Sequence, residues 1–219
     1  MAKNVCAIVG AGSGIGLAVA KRFAREGFSV ALLARRADEL EGYAATLRKE
    51  GADARGFPAD AGDFGSLEGA LGAIDQELGP PDVLVYNAAV LRRGAPTSLS
   101  GDDLLADFRV NVAGALVCAK HVATSMREKK RGTILLTGGG LALSPHPDFA
   151  SLAVGKAGIR SLAGSLAGEL EPAGIHVATV TVCGFVKPGT HFDPDKIADV
   201  YFTLHSQGLG QWEREVIYK

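Results

Sequence analysis

The residues richest in chemical possibility lie near the start of the chain, in Gly10-Ala11-Gly12-Ser13-Gly14-Ile15-Gly16. Glycines at this density let backbone N–H groups approach an anion closely, and a helix opening behind them adds the partial positive charge of its N-terminus. The spacing is Gly10-x3-Gly14-x-Gly16, with Ile15 where a Gly-x-Gly-x-x-Gly string has its third glycine. Position favours a dinucleotide pyrophosphate site, because a β-branched run precedes the loop and a helical pattern follows it; the alternative is a tight turn that binds nothing. The next β-branched run ends in Ala34-Arg35-Arg36, two guanidiniums and no carboxylate. A carboxylate there would accept from a free ribose 2'-hydroxyl, whereas guanidiniums make charge-assisted contacts to a 2'-phosphate, so the pair favours NADP(H) over NAD(H). The alternative is a solvated pair neutralised by Asp38 and Glu39.

The elements that must position these residues follow from the hydrophobic pattern. Short apolar runs at residues 5–9, 29–34, 53–59, 83–87, 133–137 and 176–182 predict six strands. Between them, residues 15–26, 38–50, 66–78, 101–128 and 149–171 predict crossover helices. Strands that are almost continuously apolar belong to a sheet covered on both faces, and the alternation implies right-handed βαβ units. The expected fold class is therefore α/β, a doubly wound Rossmann-type parallel sheet with helices on both faces. Residues 185–219 form a short C-terminal region, with a helix over 194–204 and a seventh strand over 215–218. No linker, low-complexity tract or repeat interrupts the pattern, so the 219 residues predict one domain.

Composition narrows the function classes. Lys plus Arg number 23 and Asp plus Glu 24, a formal charge of −1, which leaves no field for nucleic acid. The sequence has no run approaching the ~18 to 20 apolar residues of a membrane span and no leader pattern at its start. Cys6, Cys118 and Cys183 are far apart and form no CxxC pair, which argues against a metal site and fits reduced thiols in a cytoplasmic protein.

The ordered series Gly10, Gly14 and Gly16, then Asp60, then Asn87-Ala88-Ala89, then Asn111, then Lys156 resembles the short-chain dehydrogenase/reductase family over residues 4–184. The resemblance implies an oxidoreductase that interconverts a small-molecule carbonyl and its alcohol with a nicotinamide cofactor. It implies that Gly10, Gly12, Ser13, Gly14, Ile15 and Gly16 hold the pyrophosphate, with Arg35 and Arg36 at the adenosine ribose and Asp60 at the adenine. Asn87 and Ala88 line the cleft, and Lys156 binds the nicotinamide ribose. Asn111 and Lys156 carry over as catalytic positions. The resemblance also implies a homodimer or homotetramer, which fits helices 101–128 and 149–171, apolar beyond a single stripe.

Members of this family have a tyrosine four residues before the lysine, and a serine about thirteen residues before that tyrosine. Here those places hold Leu152 and Gly139. Leucine has no proton to exchange at any pH. Candidate replacements are Lys156 itself, water near Asn111, and His146, an imidazole being a common proton donor in catalysis; the hydroxyls of Thr137 and Ser144 carry less weight. Tyr86 lies beside Asn87, and Tyr201 sits on the C-terminal helix, from which it could approach the cleft. After the sixth strand the substrate-covering segment is short or missing, and Cys183 reads as a small buried hydrophobe rather than a reactive thiol. Two functions stay open: an NADP(H)-dependent oxidoreductase with an altered proton path, and a catalytically inactive NADP(H)-binding sensor or scaffold. A nucleotide hydrolase is disfavoured because the loop lacks a Gly-Lys-Ser/Thr ending.

Overall fold

The computed structural model describes residues 3–219. Seven parallel strands form one sheet in the order β3-β2-β1-β4-β5-β6-β7. They are β1 Val5–Val9, β2 Ser29–Ala34, β3 Ala54–Pro58, β4 Val83–Tyr86, β5 Gly132–Gly139, β6 Ile175–Val182 and β7 Glu215–Tyr218. The order reverses direction between β1 and β4, which opens a crevice at the C-terminal ends of the central strands.

Alternation along each strand divides the core between the two faces. Val5, Ala7 and Val9 of β1 pack with Leu67, Leu71 and Ile74 of helix α3 (Phe64–Glu77) and with the helices that follow it. Cys6 and Ile8 point the other way, toward helix α1 (Ile15–Arg25) and helix α2 (Ala37–Lys49). The central strands β1, β4, β5 and β6 are buried almost throughout, while the edge strands β3 and β7 are partly exposed. This is the covered parallel sheet that the apolar runs predict.

The predicted helix over 101–128 is two helices. Helix α4 (Gly101–Phe108) and helix α5 (Gly114–Lys129) are separated by a π turn over Arg109–Ala113. The cause is Tyr86 at the end of β4, whose buried hydroxyl donates to the Val110 carbonyl at 2.5 Å. That carbonyl no longer receives the Gly114 N–H, which bonds instead to Arg109 O, five residues back. A Cβ at position 114 would collide with the Tyr86 hydroxyl, so the insertion needs glycine there.

Helix α6 (Ala150–Leu170) crosses back to β6, and helix α7 (Pro194–His205) returns to the face of α1. Ile197, Tyr201 and Leu204 of α7 are fully buried there, and Phe202 meets Phe23 of α1 edge to face at 5.4 Å. Only the turn 183–193 lies between β6 and α7. It is closed by Lys187 N–H to Phe192 O at 3.0 Å and by Gly189 N–H to the Asp193 carboxylate at 2.6 Å, with the Phe192 ring seated on Gly184.

Candidate functional site: one cleft across the strand ends

A cleft of about 1370 Å³ runs over the C-terminal ends of β1, β2, β4, β5 and β6. Of the residues that the sequence assigns to the cofactor or to catalysis, Ser13, Gly16 and Asn111 do not line it, and neither do Tyr86 and Tyr201. Its floor begins at the glycine loop. Gly10 has φ +88°, and a Cβ there would strike the backbone of Ala88, while a Cβ on Gly16 would strike Gly10 O. These two glycines let strand, loop and helix meet.

Gly12 and Gly14 differ from them, since a Cβ at either would meet nothing within 4 Å. Gly14 is the N-cap of α1, with no side-chain cap, and the first turn carries no acidic residue. The N-terminus of α1 thus points unpaired N–H groups and its dipole toward the cleft, ready for an anion. Asn87 locks the loop from the neighbouring strand, its Nδ2 donating to Gly10 O at 2.9 Å.

At the end of β2 the two arginines separate. Arg36 pairs with Glu39 at 2.6 Å, as the solvated alternative anticipates for that residue. Arg35 is exposed, lines the cleft, and makes no ion pair among the described residues. Asp60, just past β3, accepts from Gly62 N–H at 2.8 Å and also lines the cleft.

Thr137 of β5 is the junction of the other half. Its hydroxyl donates to Asn87 Oδ1 at 3.0 Å and so receives the proton of Tyr201, 2.7 Å away. Its carbonyl accepts from Lys156 Nζ at 2.7 Å. Tyr201 therefore does not enter the cleft. It lies fully buried on the far face, and burial raises its phenol above the ordinary range. Tyr86 is raised in the same way and is spent on the π turn. The sequence signals neither of these hydroxyl roles, because both are contacts between residues more than twenty positions apart.

Lys156 of α6 lines the cleft and is half-buried, and desolvation brings its amine down to about 8. Its stem lies over Gly139, where a Cβ would sit 3.3 Å from the lysine's Cγ, Cδ and Cε. Leu152, one turn earlier on the same face, is 7% exposed and lines the cleft. Asn111 sits on the π turn behind this wall, its Oδ1 accepting from Val90 N–H at 2.7 Å. Its Nδ2 is buried against Gly155 with no partner among the described residues. His146 and Ser144 are exposed on the rim, and the His146 Nδ1 accepts from Asp148 N–H at 3.2 Å. Cys183 is half-buried at the end of β6, and Cys6 and Cys118 are buried, the latter thiol pushed up to about 12. Among the described residues no cluster of His, Cys, Asp or Glu could hold a metal ion, and no helix is long and apolar enough to cross a membrane.

A doubly wound sheet with a glycine loop and an uncapped helix N-terminus at its switch point is an architecture shared by many dinucleotide-binding proteins, and comparison narrows it. The short chain dehydrogenase profile matches residues 4–196, and the chain belongs to that family. It is 33% identical over 187 residues to the 2,3-dihydro-2,3-dihydroxybenzoate dehydrogenase of Bacillus subtilis (strain 168), covering 85% of this chain and 69% of that one. Among solved structures it resembles a metagenomic short-chain oxidoreductase in complex with NADP, at 26% identity and a TM-score of 0.91, covering 99% of this chain and 97% of the other. It also resembles a variant of actinorhodin polyketide ketoreductase with NADPH, at 25% identity and a TM-score of 0.91, covering 98% and 96%.

Proposed function

We propose that this chain binds NADP(H) across the cleft and acts as an oxidoreductase on a carbonyl/alcohol pair, with a proton path unlike that of its relatives. The observation that carries the reading is the uncapped N-terminus of α1 behind Gly12 and Gly14, aligned on one cleft wall with the unpaired Arg35. The residues fit a dinucleotide phosphate: the loop amides would take the pyrophosphate and Arg35 the 2'-phosphate, with Asp60 beside the adenine. Arg36, held by Glu39, would contribute field rather than a direct contact. NADP-bound and NADPH-bound structural neighbours support the same choice.

Bound NADPH would supply the hydride. The remaining chemistry falls to Lys156, because Leu152 and Gly139 stand at the positions where the family resemblance places a tyrosine and a serine. With its amine near 8, the ammonium holds its proton at neutral pH yet can release it to a developing alkoxide. Thr137 O fixes where that proton sits. Asn111 acts on position, tying Val90 to the π turn. Lacking a dedicated phenol, turnover would be slower by about 10² to 10⁴-fold. NADPH oxidation that depends on an added ketone, falling on Lys156→Ala and fading as pH rises through 8, tests this; equal rates in the two proteins contradict it.

The loss of both hydroxyl positions favours a second reading, an inactive NADP(H)-binding sensor or scaffold. Under it the parent protein binds NADPH and oxidises none of it with any ketone. In either case the exposed Leu105, Phe108, Leu116 and Val154 on α4, α5 and α6 support a homodimer or homotetramer. The buried free thiols Cys6 and Cys118 fit a cytoplasmic location.

A further inference from the structure

A second pair of adjacent arginines, Arg92 and Arg93, stands after β4 and divides as Arg35 and Arg36 do. Arg92 is consumed internally. Its Nε and one amino group hold both oxygens of Asp107 at 2.8 and 3.0 Å, and the other amino group reaches Asp103 at 3.1 Å. Asp107 is 2% exposed and also accepts from Ser151 at 2.5 Å, so its charge is fully used. Arg93 is left over. It lines the cleft, makes no ion pair among the described residues, and rests with its guanidinium 5.5 Å from the centre of the Phe149 ring.

The backbone fixes that placement. Gly94 forms a bridge with Phe149, with Gly94 N–H donating to Asp148 O at 2.8 Å, so the loop after β4 is laced to the start of α6. The same cleft also exposes apolar side chains, Leu91 at 74%, Leu143 at 43% and Phe185 at 89%, alongside Phe149 and Leu152. Exposed apolar side chains and, at this end of the cleft, an unneutralised guanidinium describe a ligand with a hydrocarbon body and an anionic end. Asp148 shares the wall but lies beyond ion-pair distance of Arg93. A single fixed cation matches a monoanion, which points to a carboxylate rather than a phosphate.

We propose that the substrate is an apolar carbonyl or alcohol compound bearing a carboxylate, which the N–H edge of Arg93 receives while Phe149 lies beside the guanidinium. This rests on the oxidoreductase reading for the words carbonyl and alcohol, but the carboxylate site stands on Arg93 alone. The test compares 4-acetylbenzoate with its methyl ester, a neutral molecule of the same body, by calorimetric titration of the protein alone and saturated with NADP⁺, in which no hydride can transfer. The acid is expected to bind at least about fivefold more tightly than the ester, a preference that shrinks with added salt. Arg93→Gln, an exposed residue whose change leaves no buried charge unpaired, brings the acid to the level of the ester. Equal affinities in the parent, no measurable binding of the acid, or a preference that survives Arg93→Gln each overturn the proposal. Failure of NADP⁺ to bind beside an intact acid preference would instead remove the cofactor reading and leave the carboxylate site standing.

Discussion

Toward β1, β2 and β3 the cleft offers mostly backbone: loop amides, a helix N-terminus, and Gly10 and Gly16, which no side chain could replace without collision, with Arg35 and Asp60 beside them. Toward β4, β5 and β6 it offers single side chains, Lys156, Arg93, Leu152 and the apolar rim. Under the proposed function, the difference teaches which half of such a site is the easier to lose. An anion site made of main chain is built into the strand-loop-helix joint and cannot be removed without disturbing the fold, whereas a proton donor is one residue on a helix that folds equally well without it. Leu152 is well buried on α6, so a leucine satisfies packing at the position where the family resemblance expects a tyrosine.

Restoring the side-chain half should have the largest effect. Leu152→Tyr with Gly139→Ser is expected to raise ketone-dependent NADPH oxidation by about 10² to 10⁴-fold, with little change in NADPH affinity. Steady-state kinetics checks this, and the serine requires only that the flexible Lys156 stem yield slightly. Damage to the backbone half should be structural instead. Gly10→Val combines a strained positive φ with a collision against Ala88, and about 3 kcal/mol or more of stability should be lost, read from urea midpoints.

Tyr201→Phe sits between the halves, since its hydroxyl supports Thr137, which orients both Asn87 and Lys156. A loss of about 1 kcal/mol is expected, with a severalfold rise in the Kd for NADPH. Unchanged cofactor affinity would show that the relay is only packing. The smallest effect concerns acid. Burial first, then the neighbouring His176, lowers the His205 imidazole, while Asp82 opposes this; the ring is boxed by Phe23, Phe28 and Phe202 and bonded to Thr133. The unfolded chain takes up this proton first as pH falls below about 6.5, so stability drops there as it nears the folded value. Urea midpoints at pH 7.5 and 5.5 should differ accordingly, and the difference should shrink in His205→Asn.

Much of this was legible in the residues. Period and β-branching place all seven strands within two residues at each end, β7 at Glu215–Tyr218 included, because a covered parallel sheet demands continuous apolar runs. The loop glycines were legible because strand and helix flank them. The π turn was not, since it depends on the Tyr86 hydroxyl reaching Val110 across 24 positions. Nor could sequence alone say which arginine of each pair is free. Glu39 lies three residues from Arg36, but Asp107 reaches Arg92 only through the fold.

The central claim is that the backbone half of the cleft still works. Calorimetric titration of the purified protein with NADPH and with NADH, at equal concentrations and fixed salt, tests it most directly. NADPH binding at least about tenfold tighter, a difference of about 1.4 kcal/mol that Arg35→Ala abolishes, is the expected result. Binding of neither nucleotide would contradict the account and leave the glycine loop a purely structural turn.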